Sequence, residues 1–277
     1  MAIKRLLQIL LFSWLVAGCT ASFTYNHLDW LIPWYVDGYV DLNRDQKKSL
    51  KEQLEPFLAW HREEELRRYV EILDDIEADL DPPVTGDQVY GWIQEIVEAA
   101  ERTELSMVQL GLEFGDQLSD AQRQEFVDKL WERQHEFEEE FLERSDQEYV
   151  EDNSDELAGF LKKLIGRLSS GQKLRLLEAA GELCRFDRPW LADSEEWIRE
   201  LEPLLQRQDG WQSRVETAFI DRKQNRSPEF RNCIDQNYLV ISAAVADVLN
   251  DTTEKQTSHL TREIQQLRDR LQKLIRS

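Results

Sequence analysis

Apolar residues recur at steps of three and four along most of the chain, which is the spacing of one face of an α-helix. The first long face contains Leu50, Leu54, Phe57, Leu58, His61, Tyr69, Val70, Leu73, Ile76 and Leu80. Similar faces run from Val89 towards Gly115 and from Ser119 to Leu142. Because alternating strand patterns and Asn-Gly hairpin signals are absent from the sequence, we predict an all-α fold. We expect an elongated multi-helix bundle with long N-terminal helices and no sheet.

Helix starts are marked by a polar capping residue followed three positions later by Gln or Glu, a pair that satisfies two free amides. Three copies share a preceding Leu, and their pairs are Asn43/Gln46, Ser119/Gln122 and Ser169/Gln172. Further pairs are Thr85/Gln88, Asn153/Glu156, Asp193/Glu196 and Asp251/Glu254, and a cap followed by proline is Ser227-Pro228. Proline should kink or divide the first long helix at Pro56, end it at Asp81-Pro82-Pro83, and separate two shorter helices at Arg188-Pro189-Trp190.

The N-terminus combines a basic start, a short apolar run and small residues before a cysteine. Lys4 and Arg5 precede the run Leu6–Val16, and Val16-Ala17-Gly18-Cys19 closes it. As a helix, about 11 residues reach roughly 16 Å, which is too short to cross the roughly 30 Å hydrocarbon layer. The pattern resembles the bacterial lipobox, in which the cysteine is acylated and becomes the first residue. We predict that residues 1–18 are a lipoprotein signal peptide and that Cys19 carries the lipid, with palmitate among its acyl chains.

The predicted mature chain consists of a tether and one folded domain. Residues 19–25 form the short tether, and residues 26–277 form a single all-α periplasmic domain. Thr20 follows the lipidated cysteine. In the bacterial sorting rule that this sequence resembles, Asp at that position retains a lipoprotein in the inner membrane. We therefore expect an anchor in the outer membrane and a domain on its periplasmic side.

The negative net charge of the chain narrows the classes of molecule that it is expected to bind. The formal net charge is −21, and removal of Lys4 and Arg5 with the signal makes it −23. Such a surface does not suit nucleic acid, whose phosphates bind Lys and Arg, and anionic lipid headgroups repel it. Eleven acidic residues lie between 136 and 156, against the single Arg144. They form either a solvated helix face or a docking surface for a basic partner.

The cysteine and histidine residues supply few candidates for a catalytic or metal-binding site. After lipidation of Cys19, the remaining pair is Cys184 and Cys233. An exported chain meets an oxidising compartment, so we predict a disulfide between them, with two buried free thiols as the alternative. Glu132 and His135 have the spacing found in di-iron carboxylate bundles, but the second Glu-x-x-His pair of such sites is missing. Catalytic and phosphate-binding motifs are also absent, so we expect no cofactor, metal or catalytic residue.

Two apolar stretches have alternative interpretations. Trp and Tyr are frequent between 25 and 39, where they favour either a membrane interface or the domain core. The core is favoured by the helical spacing of Leu28, Leu31, Ile32, Tyr35 and Tyr39. In the last helix, steps of four and three form a narrow seam of Leu260, Ile264, Leu267, Leu271 and Leu274. The seam either packs inside this chain or pairs with a second protein or a second copy.

Several motifs occur together between residues 19 and 180. They are Cys19, Tyr25-Asn26-x-Leu28-Asp29-Trp30-Leu31, Tyr39-Val40-Asp41-Leu42 with Gln46, Trp60-His61-Arg62-Glu63-Glu64-Glu65-Leu66, Arg68-Tyr69 and the two later Leu-Ser-x-x-Gln boxes. This set resembles a family of bacterial helical lipoproteins of unknown function, although Asn43-Arg44-Asp45 replaces its usual Thr-Pro-Glu and the C-terminal third lies outside its pattern. The boxes are also similar to the Leu-Thr-x-x-Gln repeat of periplasmic stress chaperones. The family resemblance implies an envelope location and a helical fold, and no activity.

These observations favour an envelope protein that binds rather than catalyses. The first hypothesis is an interaction or scaffold protein with a lipid anchor at Cys19 and a cationic or helical protein partner. The alternative is a chaperone-like binder of unfolded envelope proteins, and the third hypothesis is an enzyme with an unrecognised site. The sequence leaves the identity of the partner and the oligomeric state open.

Overall fold

The computed structural model describes residues 24–277, and within that range the chain forms helices joined by short turns, with no strand. The all-α prediction is confirmed. In chain order the elements are α1 (Leu28–Asp37), α2 (Arg44–Trp60), a π-helical turn (His61–Glu65), α3 (Leu66–Ala78), α4 (Gly86–Gly115), α5 (Asp120–Phe141), α6 (Asp146–Ile165), α7 (Ser170–Glu182), α8 (Asp187–Leu204), α9 (Trp211–Asn225), α10 (Pro228–Asn250) and α11 (Glu254–Arg276). The predicted signal peptide and Cys19 lie outside the described residues.

Most of the predicted helix starts are present. The capping residues Asn43, Thr85, Ser119 and Ser169 all form complete boxes, and Ser227 caps α10. The boxes predicted at Asn153/Glu156 and Asp193/Glu196 are wrong, because both pairs lie inside continuous helices. The true start of α6 is Ser145/Glu148, and the start predicted at Asp251/Glu254 lies two residues later, at Thr253/Gln256. Polar residues three apart also occur inside helices, where Asn153 is buried and donates to the carbonyl of Tyr149, so this spacing alone does not mark a start.

The prolines interrupt the helices at fewer places than expected. Pro56 lies inside α2, and the interruption comes five residues later, at the π-helical turn. The predicted end at Asp81-Pro82-Pro83 is confirmed, because α3 stops at Ala78 and both prolines lie in the following turn. Arg188-Pro189-Trp190 does not separate two helices, since it belongs to the first turn of α8. Amides of a first helical turn have no intrahelical acceptor, so proline costs little there.

The glutamines of two capping boxes bind each other across the fold. Gln46 at the start of α2 and Gln122 at the start of α5 exchange two side-chain hydrogen bonds, of 2.9 and 2.8 Å. The side-chain oxygen of each glutamine also accepts the amide hydrogen of its own cap residue. Their Nε2 atoms donate further to the carbonyls of Gln117 and Asp41. This glutamine pair therefore joins two helix starts that are 76 residues apart.

Helices α7 and α11 begin with the same arrangement. Gln256 Nε2 donates to Gln172 Oε1 at 2.9 Å, and the reverse contact measures 3.5 Å. Gln172 is fully buried, and its Nε2 also donates to the carbonyls of Val248 and Asp251 at the end of α10. Gln256 Nε2 donates to the carbonyl of Arg167. A buried carboxamide costs free energy unless its groups are bonded, and these bonds meet that condition.

The largest hydrophobic core lies between α4, α6, α7, α10 and α11. Buried side chains from these five helices include Trp92, Leu161, Leu176, Val248 and Ile264. A second core joins Tyr25 and α3 to the end of α11, and a third joins α2 to the end of α4. A further cluster connects α4 with α8 and α9.

The seam of the last helix is part of the protein interior. Its members are between 1% and 7% exposed, and they are Leu260, Ile264, Leu267, Leu271 and Leu274. The first two lie in the largest core, and the last three pack with Leu66 and Leu73 of α3. The alternative of a partner-binding seam is therefore corrected: these side chains are already covered by α3 and α6 of the same chain.

The aromatic stretch 25–39 divides between core and surface. Tyr25, assigned to the tether from the sequence, is only 4% exposed and packs in the core with α3 and α11. Leu28 and Ile32 also pack against buried residues, as the core interpretation predicts. Tyr35 does not, because it is 58% exposed. The folded body therefore includes Tyr25, which the predicted boundary at residue 26 leaves outside it.

A disulfide joins Cys184, just after α7, to Cys233 in α10, so this prediction is confirmed. The two Cα atoms are 5.3 Å apart and the cysteines are separated by 49 residues. Asn237 fixes the same turn, because its side chain accepts from the amide of Cys184 at 2.7 Å and donates to its carbonyl at 3.1 Å. The ring contact between Phe186 and Phe230 encloses the bridge.

We expect Gln172→Ala to lower the free energy of unfolding by roughly 2–4 kcal/mol, because it leaves buried carbonyls and the Gln256 amide unpaired and opens a cavity. The matched control is Gln88→Ala, since Gln88 occupies the same box position in α4 but bonds within its own helix start. That control should cost about 1 kcal/mol or less. Urea denaturation of both variants measures the difference. Equal losses would show that the glutamine pair adds nothing beyond capping.

Candidate functional site

A group of polar side chains, of which Tyr25 and Glu65 are buried, surrounds the π-helical turn. A π-helical turn inserts an extra residue into a helix and occurs frequently at functional sites. We call this group the π-turn cluster, and its members come from the segment before α1, the turn itself, α3 and α4: Tyr25, His61, Glu65, Arg68, Tyr69, Arg102 and Thr103.

Glu65 is the charged centre of the π-turn cluster and has 0% exposure. Arg102 binds both of its carboxylate oxygens, with Nε to Oε1 at 3.0 Å and Nη2 to Oε2 at 3.1 Å. Arg68 adds a bond from Nη1 to Oε1 at 3.0 Å. A buried carboxylate is tolerated only when it is paired and hydrogen-bonded, and this bidentate arrangement satisfies it. The ion pair also connects the π-helical turn to α4.

His61 lies between two tyrosine hydroxyls. Its Nδ1 is 3.0 Å from the Tyr25 hydroxyl, and its Nε2 is 3.4 Å from the Tyr69 hydroxyl. Burial lowers the pKa of His61 to about 4, against a smaller opposing effect of Glu65. Burial also raises the pKa of Tyr25 to about 12 and that of Tyr69 above its ordinary value. At neutral pH the imidazole is therefore uncharged and the hydroxyls keep their protons.

The charged and polar groups of the π-turn cluster bind one another. Glu65 is neutralised by two guanidinium groups, and both ring nitrogens of His61 face protein hydroxyls. A general base needs a free lone pair directed at a substrate, and a nucleophile needs such a base beside it. The cluster instead fixes α3 and α4 against the start of the folded chain. Its role is to hold the geometry of the N-terminal half.

Glu132 and His135, which have the spacing found in di-iron carboxylate bundles, do not converge on a common point. Lys129 binds Glu132, whereas His135 Nε2 lies 3.3 Å from Glu139 and its side chain is 70% exposed. Within residues 24–277, no group of three or more His, Cys, Asp or Glu side chains is arranged to hold a metal ion.

A second buried ion cluster lies close to the disulfide. Asp187 has 0% exposure, and its two oxygens bind Arg144 at 2.9 Å and Arg185 at 3.3 Å. Arg144 also bonds Asp152 at 2.7 Å and lies over the ring of Tyr149. The single basic residue of the acidic stretch is thus directed inward, where it balances a buried carboxylate.

The end of α5 is a run of exposed carboxylates that we call the α5 acidic end. Its members are Glu136, Glu138, Glu139, Glu140 and Glu143. The imidazole of His135 lies near two of these carboxylates. Its Nδ1 is 3.9 Å from an oxygen of Glu138, and its Nε2 is 3.3 Å from an oxygen of Glu139. The other three form no ion pair with a cation of the described chain. Uncompensated charge of one sign creates a field that attracts cationic groups.

A family model places the chain among known proteins. The model of a family of unknown function, DUF6279, matches residues 38–231, which is more than half of the chain. This chain belongs to the DUF6279 family. The DUF6279 match contains both buried ion clusters and the α5 acidic end, while α1 and α11 lie outside it. No curated protein and no solved structure matches this chain.

Among residues 24–277, every helix is either too short or too polar to cross a lipid bilayer.

Sequence reasoning reached only part of the candidate site in this DUF6279 member. The motif from Trp60 to Tyr69 contains His61, Glu65 and Arg68, but its spacing suggested only a helix face and a family resemblance. Arg102 and Thr103 were missed because they come from α4, more than 30 residues later, and nothing local marks them as partners of Glu65 and Tyr69. The sequence did contain one signal for the site: Glu65 occupies a position on the otherwise apolar face of the first long helix.

The lowered pKa of His61 predicts a pH dependence of stability. The ordinary pKa of histidine is 6.5 and the folded value is about 4, so the unfolded chain binds the proton more tightly. Stability is complete above pH 6.5 and is lost as the pH falls to about 4. This single group should contribute a loss of the order of 3 kcal/mol. Chemical denaturation at pH 7, 5 and 4 measures it.

The variant that isolates this effect is His61→Gln, which remains neutral and keeps a hydrogen-bonding side chain. It should lose less stability on acidification than the wild type. His135→Gln, at an exposed position, is the matched control and should follow the wild type. An identical pH profile for wild type and His61→Gln would contradict the buried neutral imidazole.

Proposed function

We propose that this chain is a lipid-anchored lipoprotein on the periplasmic side of the outer membrane that acts as a binding or scaffold protein of the cell envelope. The observation that carries the proposal is the N-terminal pattern, in which a basic start and a short apolar run lead to Val16-Ala17-Gly18-Cys19. The buried Tyr25 supports it, because a core residue six positions after Cys19 would keep the folded domain close to its anchor.

Binding is favoured over catalysis by the way the described polar groups are used. Both buried ion clusters are neutralised by side chains of the same chain. The disulfide is consistent with an oxidising compartment. With the α11 seam buried, the surface left for a protein partner among the sequence candidates is the α5 acidic end. We assign it to a partner with a cationic surface.

The chaperone alternative is less favoured. A binder of unfolded chains needs an exposed, concave apolar surface. Two surface depressions of the described chain are lined mainly by polar and charged side chains, one at the end of α11 and the other between Gly38 and the first half of α5. A partner with a folded, basic surface fits this protein better.

Cys19→Ala should abolish membrane attachment. Without the thiol the chain cannot be acylated, so we expect an uncleaved precursor or a soluble species in envelope fractionation, and no incorporation of labelled palmitate. Ser22→Ala lies in the same segment and is the matched control, which should mature and fractionate like the wild type. A Cys19→Ala chain that matures and remains in the outer-membrane fraction would refute the anchor.

Charge reversal at the α5 acidic end should abolish binding of a cationic partner. Glu136→Lys, Glu140→Lys and Glu143→Lys change three exposed residues without breaking a described ion pair. We expect crosslinked partner recovered from intact envelopes to fall to background, and wild-type recovery to fall with rising salt. The measurement is quantitative mass spectrometry of the crosslinked species.

The matched control changes the net charge by the same amount elsewhere. Glu178→Lys, Glu196→Lys and Glu200→Lys alter three exposed residues of α7 and α8. This control should keep the partner. If both triple variants lose it equally, net charge rather than the α5 acidic end determines binding.

A further inference from the structure

Helix α1 exposes three large aromatic side chains. Trp30 is 62% exposed, Trp34 66% and Tyr35 58%. The other large apolar side chains exposed within the described chain are aliphatic and belong to α7, α9 and α10. Trp30 and Trp34 are four residues apart and so lie on one face of the helix. Tyr35 follows about 100° further round the helix and widens the exposed aromatic surface. We call Trp30, Trp34 and Tyr35 the aromatic face of α1.

The aromatic face carries no unpaired charge, although the protein is strongly acidic. The two carboxylates of α1, Asp29 and Asp37, each form an ion pair of 2.8 Å with a lysine of α2, Lys51 and Lys47. Hydrogen bonds from these lysines lower the pKa of both carboxyls. Both pairs therefore persist at neutral pH, and α1 presents an aromatic surface without net charge.

The position of α1 in the chain places it near the anchor. Thr24 is five residues after Cys19, so the chain between them spans at most about 18 Å. Tyr25 is fixed to the body by its packing against α3 and α11 and by its bond to His61. Helix α1 follows three residues later and is about 15 Å long. An anchored Cys19 would hold α1 close to the headgroup layer.

We propose that the aromatic face of α1 lies in the headgroup region of the bilayer that holds the lipid at Cys19, and that this contact sets the orientation of the domain. The proposal rests on the lipid anchor proposed above. Trp and Tyr favour this region because their rings are apolar while their N–H and O–H groups bond to headgroups. Exposed to water instead, the same apolar area is unfavourable by about 25 cal/mol per Å².

A lipid surface fits the aromatic face better than a protein partner does. Because Thr24 is only five positions after Cys19, the anchor would keep the face within reach of the bilayer, so the effective concentration of lipid is high. The net charge of the chain is strongly negative and disfavours contact with anionic headgroups, whereas both carboxylates of α1 are paired with lysines of α2. Docking through α1 also leaves the α5 acidic end available to a periplasmic partner.

The test uses the chain from Cys19 to Ser277, which contains all the described cores and the disulfide. Because Cys184 and Cys233 are bonded, Cys19 is its free thiol and is coupled to a maleimide phospholipid in phosphatidylcholine vesicles. Brominated phosphatidylcholine then quenches tryptophans that reach the bilayer. We expect clear quenching in the wild type, and loss of most of it in Trp30→Phe/Trp34→Phe, because Phe keeps the apolar face but removes the reporting indoles.

The matched control is Trp131→Phe/Trp197→Phe, which removes two indoles from α5 and α8 and should retain the quenching. Equal quenching in both double variants, or none in the wild type, overturns the proposal. Since the face is uncharged, wild-type quenching should also persist at high salt. A signal that disappears with salt would indicate an electrostatic contact elsewhere and would overturn it as well.

A second measurement separates docking from folding. In Trp30→Ser/Trp34→Ser/Tyr35→Ser, hydrogen exchange of α1 should be equally fast with and without coupling, whereas coupling should slow it in the wild type. Circular dichroism shows whether the variant keeps its helices. In every sample Cys19 is coupled to the lipid chemically. A failure of α1 to dock would therefore contradict the membrane contact but would not test whether Cys19 is lipidated in cells. Conversely, membrane retention of Cys19→Ala in cells would refute lipidation without affecting this test.

Discussion

The free amides at the start of each helix are the constraint on which this fold depends. An all-α chain with many short connections has many such starts, and at three of them the glutamine of the capping box is buried: Gln46, Gln172 and Gln256. The boxes of α2 and α5, and those of α7 and α11, solve this by directing two glutamines at each other. One carboxamide then caps its own helix and bonds to the start of another. Capping and tertiary assembly are the same interaction in these places.

The buried charges act in the same way. Glu65 and Asp187 each lie at full burial, each bound by two arginines, and each connects segments that are distant in sequence. Breaking such a pair leaves a charge in the interior, so these clusters define how the helices meet rather than offering a reactive group. With His61 kept neutral by burial, the polar interior is committed to structure.

Two described surface features differ in chemical character. The aromatic face of α1 is neutral because α2 supplies lysines to its carboxylates, and it follows closely after Cys19 in the chain. The negative charge of the α5 acidic end is not neutralised by Arg144, because that guanidinium is directed inward and binds Asp187. The first suits a lipid interface and the second a basic protein. These are the two surfaces through which we propose that this member of the DUF6279 family acts.

The sequence by itself determined the helical class, most helix starts and the disulfide, because hydrophobic period, capping boxes and a lone cysteine pair are local or countable signals. It placed Tyr25 in the tether, interpreted Asn153/Glu156 as a cap and left the α11 seam open, because each depends on which distant helix lies opposite. Only the tertiary structure decided that Gln46 meets Gln122, that Arg102 reaches Glu65, and that Trp30 and Trp34 remain outside. The physical reason is that burial and pairing are set by contacts between residues far apart in the chain, which a local pattern does not specify.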